Sequence, residues 1–175
     1  MFPKYTLILG GAASGKSVFA EQVVERSGKP RIYLATSQLF ENDDEMRNKI
    51  HAHVARRGRD WTTIEAPFEA AAALETLQSD EVCLLDCATM WLTNHLLAEN
   101  DLTAKQDQLL DAIANCRANL VLVSNEVGHG IVPGDALSRR FREAQGRLNI
   151  ALAARAELVV LVVAGLPQVL KGALP

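Results

Sequence analysis

The chain has 175 residues, 49% of them hydrophobic and 22% charged, and its 18 Lys and Arg stand against 21 Asp and Glu for a net charge of −3. That length and apolar content can close a core without disulfide or metal staples. The mildly acidic balance excludes a broad basic face for nucleic acid or an anionic membrane, so any anion must be bound locally by a few convergent groups.

In chain order, the first element is the apolar run Tyr5 to Leu9. It breaks at Gly10-Gly11 without a small-residue cleavage pattern and reads as a strand, not a signal peptide. Helical patterning follows over Lys16 to Arg26, then a strand over Arg31 to Ala35, a helix over Asp43 to Arg56 and a short strand over Trp61 to Ala66. Next come a helix over Phe68 to Leu77, a strand over Val82 to Asp86, helices over Met90 to Ala98 and Thr103 to Arg117, and a strand over Leu120 to Ser124. A long helix over Ala136 to Ala154 and a strand over Leu158 to Val163 complete the series. Near-continuous apolar strands separated by helices predict an α/β fold, a mainly parallel central sheet flanked by helices.

No internal repeat or long linker marks a boundary, so residues 1–175 are expected to form one domain. No stretch approaches the roughly 20 apolar residues of a membrane-spanning helix. In the long helix opened by Asp135, the stripe Ala136, Leu137, Phe141, Ala144, Leu148 and Leu152 predicts a docking face. Arg139, Arg140, Arg142 and Glu143 between them predict a solvated one. The odd set Cys83, Cys87 and Cys116 reads as reduced thiols packed in the core, since no second Cys/His pair stands at metal-ligand spacing. A cytoplasmic location is the corresponding expectation.

Gly10-Gly11-Ala12-Ala13-Ser14-Gly15-Lys16-Ser17 matches G-x-x-x-x-G-K-[ST] and falls between a strand and a helix. Its glycines let successive backbone N–H groups point at phosphate oxygens, and the helix adds its positive end. Lys16 is placed to reach the β- and γ-phosphates, and Ser17 to ligate Mg²⁺. The plainer alternative is a Gly-rich turn. Asp86 closes the run Val82 to Asp86 with a carboxylate, where a Mg²⁺-organising acid belongs beside a P-loop; a helix N-cap is its other reading.

The segment Asp43 to Trp61 begins acidic and ends basic. On a helix, Lys49, His53, Arg56 and Arg57 share one face, since they lie three or four residues from the histidine. A neutral imidazole there is suited to attack an α-phosphorus while the cations stabilise the transferring phosphoryl group. His51 projects about 200° away and is the rival. His95 and His129 read as structural or peripheral.

Several segments together resemble one family, the bifunctional adenosylcobinamide kinase/adenosylcobinamide-phosphate guanylyltransferases of cobalamin biosynthesis. They are GGAASGKS at 10–17, YLATSQ at 33–38, DDEMRNKIHAHVARRGRDWTTIE at 43–65, LLDCATMWLTN at 84–94, NEVGHGIVP at 125–133, FREAQGRLN at 141–149 and VVAGLPQVLKG at 162–172. The resemblance implies a RecA-like P-loop fold and two reactions. Adenosylcobinamide is phosphorylated by ATP or GTP, and GMP then passes from GTP to that phosphate through a GMP-histidine on His53. It further implies a nucleotide site of Gly10 to Ser17, Thr36, Ser37, Gln38, Val54, Ala55, Arg56, Arg57, Glu65 and Asp86, together with a homotrimer. Two departures stand out. Val54 replaces the Lys or Arg that many relatives carry after the histidine, and Gly58 replaces a common Pro.

Asn125 to Pro133, after a strand and with two glycines, reads as a loop at the carboxyl edge of the sheet, where ligands bind in such folds. The resemblance directs it toward substrate or subunit contact, and a plain surface turn is the alternative. Two other functions are compatible with the P-loop: a monofunctional small-molecule kinase in which His53 is incidental, and a nucleotide-gated binding module.

Overall fold

Strands whose two faces are both apolar must be covered on both sides, and this dictates the architecture. The computed structural model of the protein describes residues 2–38, 58 and 60–174. The expected helix over 43–56 lies outside the described residues.

In chain order the elements are β1 (Tyr5–Gly10), α1 (Lys16–Glu25), β2 (Arg31–Ala35), β3 (Trp61–Glu65), α2 (Ala70–Thr76) and β4 (Val82–Asp86). They continue with α3 (Ala88–Leu97), α4 (Leu102–Asn115), β5 (Asn119–Asn125), α5 (Ala136–Arg155), β6 (Leu158–Val163) and β7 (Leu166–Lys171). The seven strands form one sheet in the order β3-β2-β4-β5-β1-β6-β7, parallel except for β7 against β6. The α/β expectation with a mainly parallel sheet therefore holds.

Alternate side chains of each strand enter different layers. Leu7, Leu9, Leu85, Leu120 and Leu122 pack against Leu74 of α2, Trp91 of α3, Leu109 of α4 and Leu148 and Leu152 of α5. Ile8, Leu84, Val121, Val123 and Val160 face the other way onto Ala20, Val23 and Val24 of α1. Leu84 is fully buried; its truncation to Ala would cost about 2–5 kcal/mol through lost transfer energy and a residual cavity. Cys83, Cys87 and Cys116 are buried free thiols, as expected.

The apolar pattern predicts no strand after Val163, whereas the chain turns at Ala164-Gly165, both with positive φ, and returns as β7. Ala-Gly is a weaker hairpin signal than Asn-Gly or Asp-Gly. Pro167 argues against an interior strand and is accommodated because β7 is an edge.

Candidate active site

The loop from Gly10 to Ser17 joins β1 to α1 and turns tightly on its own backbone. The Ser14 N–H donates to the Gly11 carbonyl at 3.3 Å, and the Phe19 N–H donates to the Gly15 carbonyl at 3.0 Å. Gly15 has φ +92°, and a Cβ on it would lie 3.0 Å from the Cα of Gly165. Position 15 thus requires glycine for both conformation and space. The approaching Gly165 sits in the β6–β7 turn and donates its N–H to the Ser14 carbonyl at 2.8 Å, so the C-terminal hairpin braces the loop.

Gly15 caps α1 without any side-chain hydrogen bond. By contrast Asp101 caps α4 through the N–H groups of Thr103 and Ala104, and Asp135 caps α5 through that of Ser138. The Ser138 N–H bond holds the Asp135 carboxyl below the usual carboxylate range. The first turn of α1 keeps its N–H groups for an anion and carries no acid to repel one. The Lys16 ammonium lies over the same loop, donating to the Gly11 carbonyl at 3.1 Å.

The sheet arranges the remaining positions along its carboxyl edge. Residue pairings align Ala35 with both Glu65 and Asp86, Asp86 with Val123, and Asn125 with Gly10. Asp86 ends β4, two strands from the loop, and its Oδ2 accepts the Tyr33 hydroxyl at 3.2 Å. The capping position of α3 belongs to Cys87, in extended conformation, and not to Asp86. Burial, then the neighbouring Asp86, push the Cys87 thiol up to about 12, partly opposed by an N–H bond from Met90 and the charge of Lys16. This thiol is a packing group.

Thr36 is fully buried, and its hydroxyl donates to the Cys87 carbonyl at 2.7 Å and accepts from the Cys87 N–H at 2.8 Å. It ties the end of β2 to the end of β4, with Asn94 of α3 donating to the Thr36 carbonyl at 2.8 Å. Expected as a ligand contact, Thr36 has its hydroxyl engaged in positioning; Ser37 and Gln38, which follow it, are half-buried. Glu65 is exposed at the end of edge strand β3. His53, Val54, Ala55, Arg56 and Arg57, with Lys49 and His51, lie outside the described residues.

A second loop, Glu126 to Asp135, follows β5 beside the P-loop. The Glu126 N–H donates to the Gly10 carbonyl at 3.0 Å, joining the two loops at their bases. Arg139 donates to the carbonyls of Pro133 and Gly134 at 3.0 and 2.6 Å, and Arg142 donates to those of Gly128 and Gly130. These arginines lie on the solvated side of α5, as expected, and in addition hold the loop. Beneath it, Ser124 donates to Asn149 Oδ1 at 2.7 Å, and Gln145 donates to both Ser124 and Asn149. Asn149 Nδ2 donates to the Asn125 carbonyl at 3.0 Å, and the Asn125 N–H donates to the Thr89 hydroxyl at 2.8 Å. The sequence pattern does not mark Thr89, Gln145 and Asn149 as site residues, and it marks Arg142 only as part of a solvated face. The one available signal was the pair of amides, four residues apart, interrupting the apolar stripe of α5.

His95 is buried in α3, its Nε2 donating to the Phe68 carbonyl at 3.2 Å and its Nδ1 accepting from Asn100 at 2.8 Å when the ring is neutral. Burial holds its pKa below the ordinary value. His95 is therefore structural, as expected, while His129 is exposed in the second loop. Among the described residues no group of three or more His, Cys, Asp or Glu is arranged to hold a metal, and no helix is long and apolar enough to cross a membrane.

A P-loop on the strand beside a central parallel strand, with helices on both faces, defines a nucleotide-binding α/β protein of the P-loop class. In agreement, the fold is similar to that of the RadB recombinase, with a TM-score of 0.51 at 16% identity over 91% of this chain and 74% of that one. The particular family follows from sequence: the cobinamide kinase / cobinamide phosphate guanyltransferase model matches residues 6–170, and the chain belongs to that family. It is 45% identical over 169 residues to the bifunctional adenosylcobalamin biosynthesis protein CobP of Pseudomonas aeruginosa, covering 95% of this chain and 96% of the relative. It is 39% identical over 176 residues to the bifunctional adenosylcobalamin biosynthesis protein CobU of Escherichia coli, covering 91% and 96%.

Proposed function

We propose that this enzyme phosphorylates the aminopropanol hydroxyl of adenosylcobinamide with ATP or GTP and then transfers GMP from GTP to that phosphate, releasing pyrophosphate and forming adenosylcobinamide-GDP. The single observation that carries this reading is the braced, acid-free cradle at Gly10 to Ser17 with Lys16 lying over it, in a chain of this family. Backbone N–H groups and the start of α1 bind the triphosphate, and Lys16 neutralises charge on its β- and γ-phosphates.

Ser17 and Asp86 offer a hydroxyl and a carboxylate on adjacent elements of the site. These hard oxygen donors suit Mg²⁺, which takes one or two protein ligands and completes its shell with phosphate oxygens and water. When bound, Mg²⁺ supplies charge neutralisation of the phosphates. Thr36, Ser37, Gln38, Val54, Ala55, Arg56, Arg57 and Glu65 complete the nucleotide site in this reading, and the Thr36 hydroxyl also ties β2 to the end of β4.

In the second reaction an imidazole nitrogen of His53 attacks the α-phosphorus of GTP and pyrophosphate leaves. An oxygen of the corrinoid phosphate then attacks the same phosphorus and frees the histidine. Lys49, Arg56 and Arg57 supply positive charge to the transferring group, which Val54 does not. The chain acts as one P-loop domain in the cytoplasm, assembled as a homotrimer. The exposed Ile131, Val132 and Leu137 around the second loop support association.

The test is turnover with adenosylcobinamide: ATP is expected to yield the phosphorylated corrinoid with stoichiometric ADP, and later GTP to release one pyrophosphate per corrinoid. A kinase alone would stop after the first product. Nucleotide-dependent complex formation without transfer to the corrinoid would leave only the binding-module reading.

A further inference from the structure

Phosphoryl transfer to an alcohol is assisted by a group that takes the hydroxyl proton as the oxygen attacks, a task suited to a carboxylate within reach of the γ-phosphate. Three candidate carboxylates stand along the carboxyl edge among the described residues. Glu65 ends β3, four strand spacings from β1 or about 19 Å at the usual spacing. Asp86 is two spacings away, engaged by Tyr33, and assigned to the metal in the reading above. Glu126 follows β5, the immediate neighbour of β1, and its own N–H is bonded to the Gly10 carbonyl at the root of the cradle.

The Glu126 carboxylate is held in place. Its Oε1 accepts the Gly128 N–H at 2.6 Å, and Gly128 is itself fixed by Arg142, which donates to its carbonyl. A Cβ at position 128 would lie 2.7 Å from Glu126 Oε1, so the missing side chain leaves the space that the carboxylate fills. Oε2 has no hydrogen bond among the described residues. A carboxylate oriented through one oxygen, on a residue whose own N–H is bonded to the root of the phosphate cradle, has the form of a general base.

We propose that Glu126 is the general base of the kinase reaction. The acceptor hydroxyl oxygen forms a bond to the γ-phosphorus, and the bond from that phosphorus to the β–γ bridging oxygen breaks. Its electron pair leaves with the nucleoside diphosphate, and the hydroxyl proton passes to Oε2 of Glu126 and later to solvent. This assignment rests on the reading of the first reaction as phosphorylation of an alcohol.

The experiment compares full-length wild type with Glu126→Gln, Glu126→Asp and Gly128→Ala, measuring adenosylcobinamide phosphorylation by ATP alongside ATP affinity by titration. Glu126→Gln is expected to lower kcat by about 10²-fold or more, in line with loss of general base catalysis. ATP affinity should stay within about two-fold, since the carboxylate acts on the acceptor. Glu126→Asp should recover part of the rate, and Gly128→Ala should lose rate at unchanged ATP affinity. Turnover by Glu126→Gln within about three-fold of wild type would overturn the assignment. So would a parallel loss of ATP affinity in Glu126→Gln and Glu126→Asp, which would make Glu126 a support of the loop. Wild type that binds ATP but never phosphorylates the corrinoid would instead overturn the kinase reading itself, and the role of Glu126 with it.

Discussion

The two loops that meet at Gly10 and Glu126 follow adjacent parallel strands and leave the same edge of the sheet, yet they are built in opposite ways. The P-loop is short, and its last two residues, Lys16 and Ser17, already belong to α1. It is held by backbone bonds, within itself and from two braces, the N–H groups of Gly165 and Glu126. The second loop delays its helix until Ala136 and is held from outside, by Arg139 and Arg142 above and by Ser124, Gln145 and Asn149 below. The first presents N–H groups and a lysine to an anion; the second presents a carboxylate. A site that must hold a nucleotide and also activate an acceptor gains from this division, because each half can be damaged separately.

The largest effect should come from the P-loop. Lys16→Ala is expected to reduce both the kinase and the guanylyl-transfer rates by about 10²–10³-fold, the usual scale for losing one preorganised charge-stabilising donor. Steady-state assays of the two half-reactions check this, and loss of one rate alone would show that the reactions do not share the cradle.

Damage beneath the second loop should appear first as instability. Asn149→Ala strands the Ser124 hydroxyl, the Gln145 amide and the Asn125 carbonyl, each losing a bond in a buried setting. A cost of about 1–3 kcal/mol is expected, the scale for leaving a buried polar group unsatisfied. Denaturant unfolding measures it, and an unchanged midpoint would show that water substitutes for the amide. Arg142→Ala, on the outer side, should be milder. Stability should change by less than about 1 kcal/mol because the side chain bridges exposed carbonyls, while KM for the corrinoid rises and nucleotide affinity is kept. An equal loss of both affinities would erase the distinction between the loops.

The smallest effect belongs to His95, remote from both. Burial lowers its folded pKa below 6.5, the unfolded value, so its contribution to stability is fully present above that pH and is lost as pH falls through the folded pKa. The urea midpoint should therefore fall below about pH 6.5, and His95→Gln should remove part of that slope. A wild-type midpoint independent of pH across this window would contradict the neutral ring bonded to Phe68 and Asn100.

The same contrast explains what the sequence disclosed. The strands were legible because burial on both faces leaves an apolar run such as Val82 to Leu85. The P-loop was legible because its conformation is encoded within eight consecutive residues. The second loop was recognisable only as a loop, since most of the groups that fix it lie in the helix that follows, 5 to 24 residues from the carbonyls they hold. Arg142 and Asn149 look like ordinary helix-surface polarity until the helix is docked. The hydroxyl tie from Thr36 to Cys87 was not legible, because it joins residues 51 apart in the chain. β7 escaped because Pro167 and an Ala-Gly turn carry little strand signal, although that turn braces Gly15.

The central claim, one nucleotide cradle serving a nucleophilic His53, is tested most directly by incubating the protein with α-labelled GTP and denaturing it. The account predicts protein-bound label that survives alkali and is released by acid, as a phosphoramidate should be, and that is lost in His53→Ala and greatly reduced in Lys16→Ala. Label that never appears in wild type, or that persists in His53→Ala, would contradict it.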